Sequence, residues 1–279
     1  MAELAERLAL FSLPFMQRAV VSLLVASVTL SLLGIVVVVF NLSALRFALM
    51  HLGLLGATAA LISGLDPLIL AMVSITGGSL LFGPVSDRAK LNVGMTSALF
   101  MTGSLAVSFL LLYKANIPAM DAFSIFTGSI LMLSGRDVWI TLALGVCVVF
   151  IMSIWYWEVN LVLYNKELAA ALGVRTGLVH YSLLVLLGLA IGVAMRLVGA
   201  LMVDAIVLIP ATAALPRARS LKQAMIFTAI FGLVQSGLGL LVAVVWDLPI
   251  SATVALVGVL VLAGCQLIRL PAAQRSPVL

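Results

Sequence analysis

Few side chains in this 279-residue chain could do chemistry. There are two histidines, His51 and His180, and two cysteines, Cys147 and Cys265. His51 and Asp204 draw attention because each sits within a long apolar block. An imidazole or a carboxylate in such a place could bind a cation, gate a passage or move a proton. A charged carboxylate at the middle of a membrane span costs roughly 2.5–3.5 kcal/mol on insertion scales, so Asp204 should not face lipid. It reads either as an acid lining a path or as a structural acid that is protonated or paired with arginine. Arg196, eight residues back and about two turns away, is the expected partner. His51 reads as a ligand or gating residue, or as a core histidine with its ring satisfied. His180, beside Tyr181 and close to Arg175, reads as a structural residue at an interface. Asp121 and Asp137 read as solvated loop charges, with a place in an outer vestibule as the alternative.

Enzymatic signatures are missing from the sequence. It contains no G-x-x-x-x-G-K-[ST] phosphate loop, no H-E-x-x-H and no serine in a G-x-S-x-G context. A hydrolytic site inside a membrane would need a paired base or a metal set, and these polar groups supply no obvious one. Cys147 and Cys265 both fall in apolar blocks, far apart in sequence, and read as small core residues without a disulfide or metal role.

Composition says what holds these residues. Hydrophobic residues make up 64% of the chain and charged residues 9%, with mean hydropathy +1.31. Soluble domains carry about 25% charged residues, so this is an integral membrane protein. Its net charge of +5 does not point to nucleic acid, because the basic residues sit in short loops where they set topology. Residues 1–18 mix Glu3, Glu6, Arg7 and Arg18 with apolar side chains and read as an amphipathic surface segment. No small-residue cleavage site precedes the first long apolar block, so that block reads as a retained span.

A span needs about 20 apolar residues. Nine blocks meet the requirement, at 19–40, 47–64, 67–85, 93–113, 138–157, 178–195, 197–215, 224–246 and 248–268, with eight or ten spans as alternatives. The pairs Gly77-Gly78 and Gly83-Pro84 are expected to loosen or end the third block, and Pro210 and Pro216 to break the seventh. The apolar run 123–133 is too short to cross and is expected to be re-entrant or interfacial. This makes an all-α polytopic bundle over 19–270, with a tail at 271–279.

The run 165–175 differs from the rest. It carries Lys166 and Glu167, then Leu168, Ala169, Ala170, Ala171 and Leu172, which are strong helix formers, and then Gly173, suited to the position just past a helix end. A short helix lying across the mouth of the bundle is one reading, and an ordinary loop is the other. With nine spans, Arg88, Lys90, Lys166, Arg175, Arg217, Arg219, Lys222 and the tail share a side, which the retention of positive charge makes cytoplasmic. The N-terminus then lies outside.

Five stretches in register resemble the permease subunit of bacterial ABC importers for zinc and manganese. They are Leu13-Pro14-Phe15-Met16-Gln17-Arg18-Ala19; Phe126-Thr127-Gly128-Ser129-Ile130-Leu131 with Asp137; Glu167-Leu168-Ala169 with Ala171-Leu172-Gly173-Val174; Val198-Gly199-Ala200 through Ile209-Pro210-Ala211; and Asp247-Leu248-Pro249. The resemblance covers nearly the whole chain. It implies a type II importer-like fold, a homodimer in the bacterial inner membrane, separate ATP-binding cassette subunits and an external substrate-binding protein. It also makes 165–175 a coupling helix, with Lys166, Glu167, Leu168, Ala169, Leu172 and Gly173 as its contacts. Gly128, Ser129, Gly199, Pro210, Asp247 and Pro249 become structural motif positions. No cofactor is expected, and zinc or manganese is the implied cargo.

The departures lie at the path. The family places an aspartate four residues before a histidine at the start of span two, a spacing that puts both on one helix face. Here those positions are Phe47 and His51. The family also has a small residue where Asp204 stands. His51 and Asp204, doubled by symmetry, would offer up to four nitrogen and oxygen ligands suited to zinc or manganese. Alternatives are a same-build permease for a metal chelate or other small solute, with Phe47 and Met50 lining a wider passage, and a secondary carrier without an ATPase.

Overall fold

In this computed structural model, the described residues are 7, 9–118 and 130–267. They form eleven α-helices: α1 Pro14–Val39, α2 Ser43–Ser63, α3 Pro67–Ala89, α4 Val93–Lys114, α5 Gly135–Ile154, α6 Tyr156–Tyr164, α7 Lys166–Ala171, α8 Thr176–Val198, α9 Ala200–Ala214, α10 Leu221–Trp246 and α11 Ile250–Leu267. A 3₁₀ turn, Leu215–Arg217, extends α9. Among the described residues, nine helices are long and apolar enough to cross a membrane, α6 and α7 being the two that are not. The expected all-α, nine-span bundle is the fold.

Burial separates inner helices from outer ones. The most apolar stretch of α1 is 72% buried within the chain, whereas that of α11 is only 17% buried. The first helix packs on α5, α8, α9 and α10; α2 packs on α3 and α4; α8 joins the two groups by packing on both α1 and α3. Small residues make the close approaches, since van der Waals packing replaces the hydrophobic drive between helices in lipid. Ile75 of α3, fully buried, fits among Gly53 of α2 and Gly188 and Gly192 of α8. A Cβ at Gly188 would lie 2.7 Å from the Ile75 and Ser79 side chains. Hydroxyls fill the remaining polar contacts. Ser236 of α10 donates to Ser27 of α1 at 2.9 Å, and Ser31 donates to the Ile206 carbonyl at 3.2 Å.

Several boundaries differ from expectation, each for a local reason. The first long helix begins at Pro14, a residue preorganised for a first turn, so 14–18 continue the helix of span one. Gly83-Pro84 does not end α3, which runs on to Ala89, and Pro210 lies inside α9. Proline is tolerated within membrane helices because neighbouring groups re-satisfy the freed backbone. The fifth span stops at Ile154, and 156–164 form a separate helix, α6, where the sequence reading had the span continue to Trp157. Cys147 is exposed on the outside of the bundle and not in its core, and both cysteines are free. The apolar run 123–133 lies mostly outside the described residues; only its end, Ile130–Met132, is seen, as a 3₁₀ turn. Asp121 also lies outside them.

The contacts sort the connections into two ends. Arg7 donates to the Val245 carbonyl at 3.0 Å, and Arg18 to that of Leu133 at 3.4 Å. Arg196 lies 3.9 Å from Asp66 and 3.8 Å from Asp137. At the opposite end Phe40 meets His180 edge to face at 5.2 Å, and Arg217 donates to the carbonyls of Ala213 and Cys265. Helix alternation puts Arg88, Lys90, Lys166, Arg175, Arg219 and Lys222 at this second end.

Candidate functional site

Two places in the fold can do something specific, one in the bundle and one at its basic end. The first turns of α2 carry Arg46, Phe47 and His51. Arg46 is 2% exposed and pairs through Nη1 with Oδ1 of Asp204 on α9. Its guanidinium carbon lies 4.7 Å from the centroid of the Phe47 ring, within reach of a cation–π attraction. Arg46 Nε is buried without a partner among the described residues. His51 Nδ1 lies 2.8 Å from the Phe47 carbonyl oxygen. A carbonyl can only accept, so Nδ1 carries a proton, and in the neutral ring the lone pair is then on Nε2. Metal-ligating histidines are oriented in the same way, by a hydrogen bond from the other ring nitrogen.

The structure therefore gives Asp204 an arginine partner, but not the expected one. Arg196 ends α8, Gly199 breaks the chain, and Asp204 belongs to α9. Arg196 instead lies between Asp66 and Asp137. Asp137 is buried, not a solvated loop charge. Its carboxylate accepts from the Ser134 backbone at 3.0 Å while Ser134 Oγ accepts from the Asp137 backbone at 3.3 Å, a reciprocal cap that opens α5. His180 is held by Phe40 and Tyr181, the latter at 6.0 Å between ring centres. Among the described residues no three His, Cys, Asp or Glu side chains cluster as a metal site within one chain.

Arg46 is the member of this group that sequence reading missed. It stands just before the second apolar block of the sequence reading, 47–64, whereas the helix begins at Ser43 and carries Arg46 inside, where a cation needs an anionic partner.

The second place is α7. Asn165 opens it by accepting from the Leu168 backbone at 2.8 Å. Gly173 closes it at φ +83°, with the Val174 backbone N–H donating to the Ala169 carbonyl at 3.0 Å. Six residues suffice for one side to anchor and the other to project. Ala169 is fully buried, whereas Leu168 is 44% and Leu172 61% exposed. Lys166, Glu167 and Gly173 are exposed around them.

Of the other motif positions, Gly199 turns the chain between α8 and α9 at φ +78° and ψ +161°. Pro210 is buried within α9. Asp247 caps α10 at φ +55°, and Pro249 accepts from the Thr253 backbone in the first turn of α11. Gly128 and Ser129 lie outside the described residues.

Nine apolar helices, an ion pair among them and a small projecting helix between spans five and six make a multi-pass membrane bundle. The chain belongs to the ABC 3 transport family, whose profile matches residues 12–268. It is 24% identical over 248 residues to the manganese transport system membrane protein MntC of Halalkalibacterium halodurans, covering 89% of this chain and 85% of that one. It is 26% identical over 229 residues to the high-affinity zinc uptake system membrane protein ZnuB of Buchnera aphidicola, covering 80% and 85%. Among solved structures it superposes on a chain of PsaBC from Streptococcus pneumoniae, determined in complex with a Fab, with TM-score 0.83, 25% identity and 95% of both chains covered.

Proposed function

We propose that this chain is the permease subunit of an ABC importer in the bacterial cytoplasmic membrane, and that its cargo is a divalent transition metal, manganese or zinc. One observation carries the reading: α7 projects two leucines and two charges from the basic end of a bundle that matches metal-system permeases along nearly its whole length. The basic end is cytoplasmic by the retention of positive charge. There α7 would enter a groove of a separate ATP-hydrolysing subunit. Closure of two such subunits would push on α7 and, through α6 and α8, on the bundle, alternating access to a path between two copies of this chain. A binding protein outside would deliver the metal.

His51 is the residue we assign to the cargo. Its position one turn beyond Phe47 gives the two a common face, and Phe47 is 42% exposed in the single chain, so that face is left for a second copy or for the path. Asp204 would act beside it, with one carboxylate oxygen engaged by Arg46. Phe47 supports a second reading, a same-build permease for a metal chelate, because an exposed ring suits a larger and less polar cargo.

Purification in mild detergent from the native membrane, with identification of the subunits that come along, tests the assignment. A permease brings down a protein with a phosphate loop; a stand-alone carrier does not. Uptake of free against chelated metal then separates the two cargo readings.

A further inference from the structure

We propose that the Arg46–Asp204 pair is a positioning device for the path, orienting the Phe47–His51 face and masking the charge of Arg46 from a cation in transit. The inference rests on the permease reading above. Three links connect four residues across two helices. Asp204 of α9 pairs with Arg46, Arg46 lies over the Phe47 ring, the Phe47 carbonyl accepts from His51 Nδ1, and all three α2 residues fall within two turns. Packing holds α2 against α3 and α4, but α2 and α9 share little contact besides this pair. The ion pair sets a point of register between them. Burial also gives it an electrostatic task. A guanidinium that is 2% exposed in a region of low dielectric repels a divalent cation over several ångströms, and Asp204 cancels most of that field.

A structural pair and a positioning pair respond differently to removal. Breaking a buried pair leaves one uncompensated charge and destabilises, whereas replacing both members with apolar groups of similar volume is often neutral. Three variants of the full chain are compared: Arg46→Met, Asp204→Asn, and the double Arg46→Met/Asp204→Leu. Thermal unfolding in detergent reads the pair. Reaction of His51 with diethyl pyrocarbonate, followed by mass spectrometry with His180 as internal control, reads the orientation of α2 without any metal. Manganese uptake with the partner subunits reads the path.

Both single variants should unfold at lower temperature than the parent, and the double should return to near the parent. In the double, His51 should nevertheless react about fivefold faster or slower, with His180 unchanged, and half-saturating manganese should rise by about tenfold. Asp204→Asn, which leaves the cation bare, should raise half-saturation more than Arg46→Met. Parental His51 reactivity in the double variant would overturn the proposal, leaving the pair purely structural, because half-saturation alone also responds to the loss of the Asp204 carboxylate. Unchanged stability of both single variants would overturn it too, since the pair would then not hold in the membrane. If the double variant does not accumulate, Asp204→Glu, which keeps the charge but moves it by one methylene, should be stable and still shift His51 reactivity; parental reactivity there has the same overturning force. A parent that takes up no manganese defeats the cargo assignment alone, because the His51 reactivity comparison still decides this one.

Discussion

His51 owes its usefulness to a hydrogen bond. With Nδ1 donating to the Phe47 carbonyl, the ring is oriented, and its neutral form carries the lone pair on Nε2. His51→Ala should therefore cut metal uptake by at least about tenfold, the usual order for loss of an oriented ligand or its support, while detergent stability stays within a few degrees of the parent. Uptake of radiolabelled manganese and zinc in vesicles checks this; near-parental uptake would remove His51 from the path. Gly199 shows a different kind of single-residue constraint. At φ +78° and ψ +161° it occupies backbone space that is essentially closed to other residues. Gly199→Ala should cost about 1–3 kcal/mol for this reason, seen as a lower unfolding temperature, whereas strain-free accommodation would leave it unchanged. Sequence reading gave Gly199 as a structural motif position; its backbone conformation supplies the physical reason. The same limit applied to Asp204. That it should not face lipid was legible from its place in an apolar block. That the partner is Arg46, 158 residues away, depends on how α2 and α9 approach, which no local pattern encodes.

Among the helices, α7 is the one most fully legible beforehand, because its signals are local: a capping Asn165, a run of helix formers and a glycine stop. Of the 9-residue α6 before it, the sequence reading gave only Tyr156 and Trp157 to the end of the fifth span and assigned no helix to 158–164. Pro84 and Pro210 do not end their helices, where rules learned from soluble helices overstate their breaking power, whereas Pro216 sits in the turn that closes α9. If α7 is a docking helix, Leu168→Asp places a charge into the contact, and burying an unpaired charge is costly. The variant should insert and fold like the parent yet lose transport and substrate-stimulated ATP hydrolysis. Normal transport would mean that α7 touches nothing essential. Where helices meet closely, volume dominates. Gly188→Leu forces side-chain atoms into the space held by Ile75 and Ser79 and should destabilise by about 1–3 kcal/mol or more, the range for overpacking. An unfolding temperature equal to that of the parent would show that α3 and α8 can separate at no cost.

The bundle joins these parts into one account. Four helices are at least half buried in their most apolar stretches, the others are less than half buried, and the ends differ in charge, so the chain has an orientation as well as a fold. Its span count and all-α class were readable from hydropathy, because lipid leaves a chain few other ways to satisfy its backbone. The direction in which energy enters rests on α7, and the nature of the cargo on the face of α2. The most direct measurement is manganese accumulation in sealed proteoliposomes that contain this chain with its co-purifying ATPase subunit and binding protein, with and without ATP. The account predicts accumulation that requires ATP and the binding protein and is abolished by Leu168→Asp. Accumulation independent of ATP, or undiminished by Leu168→Asp, would contradict it.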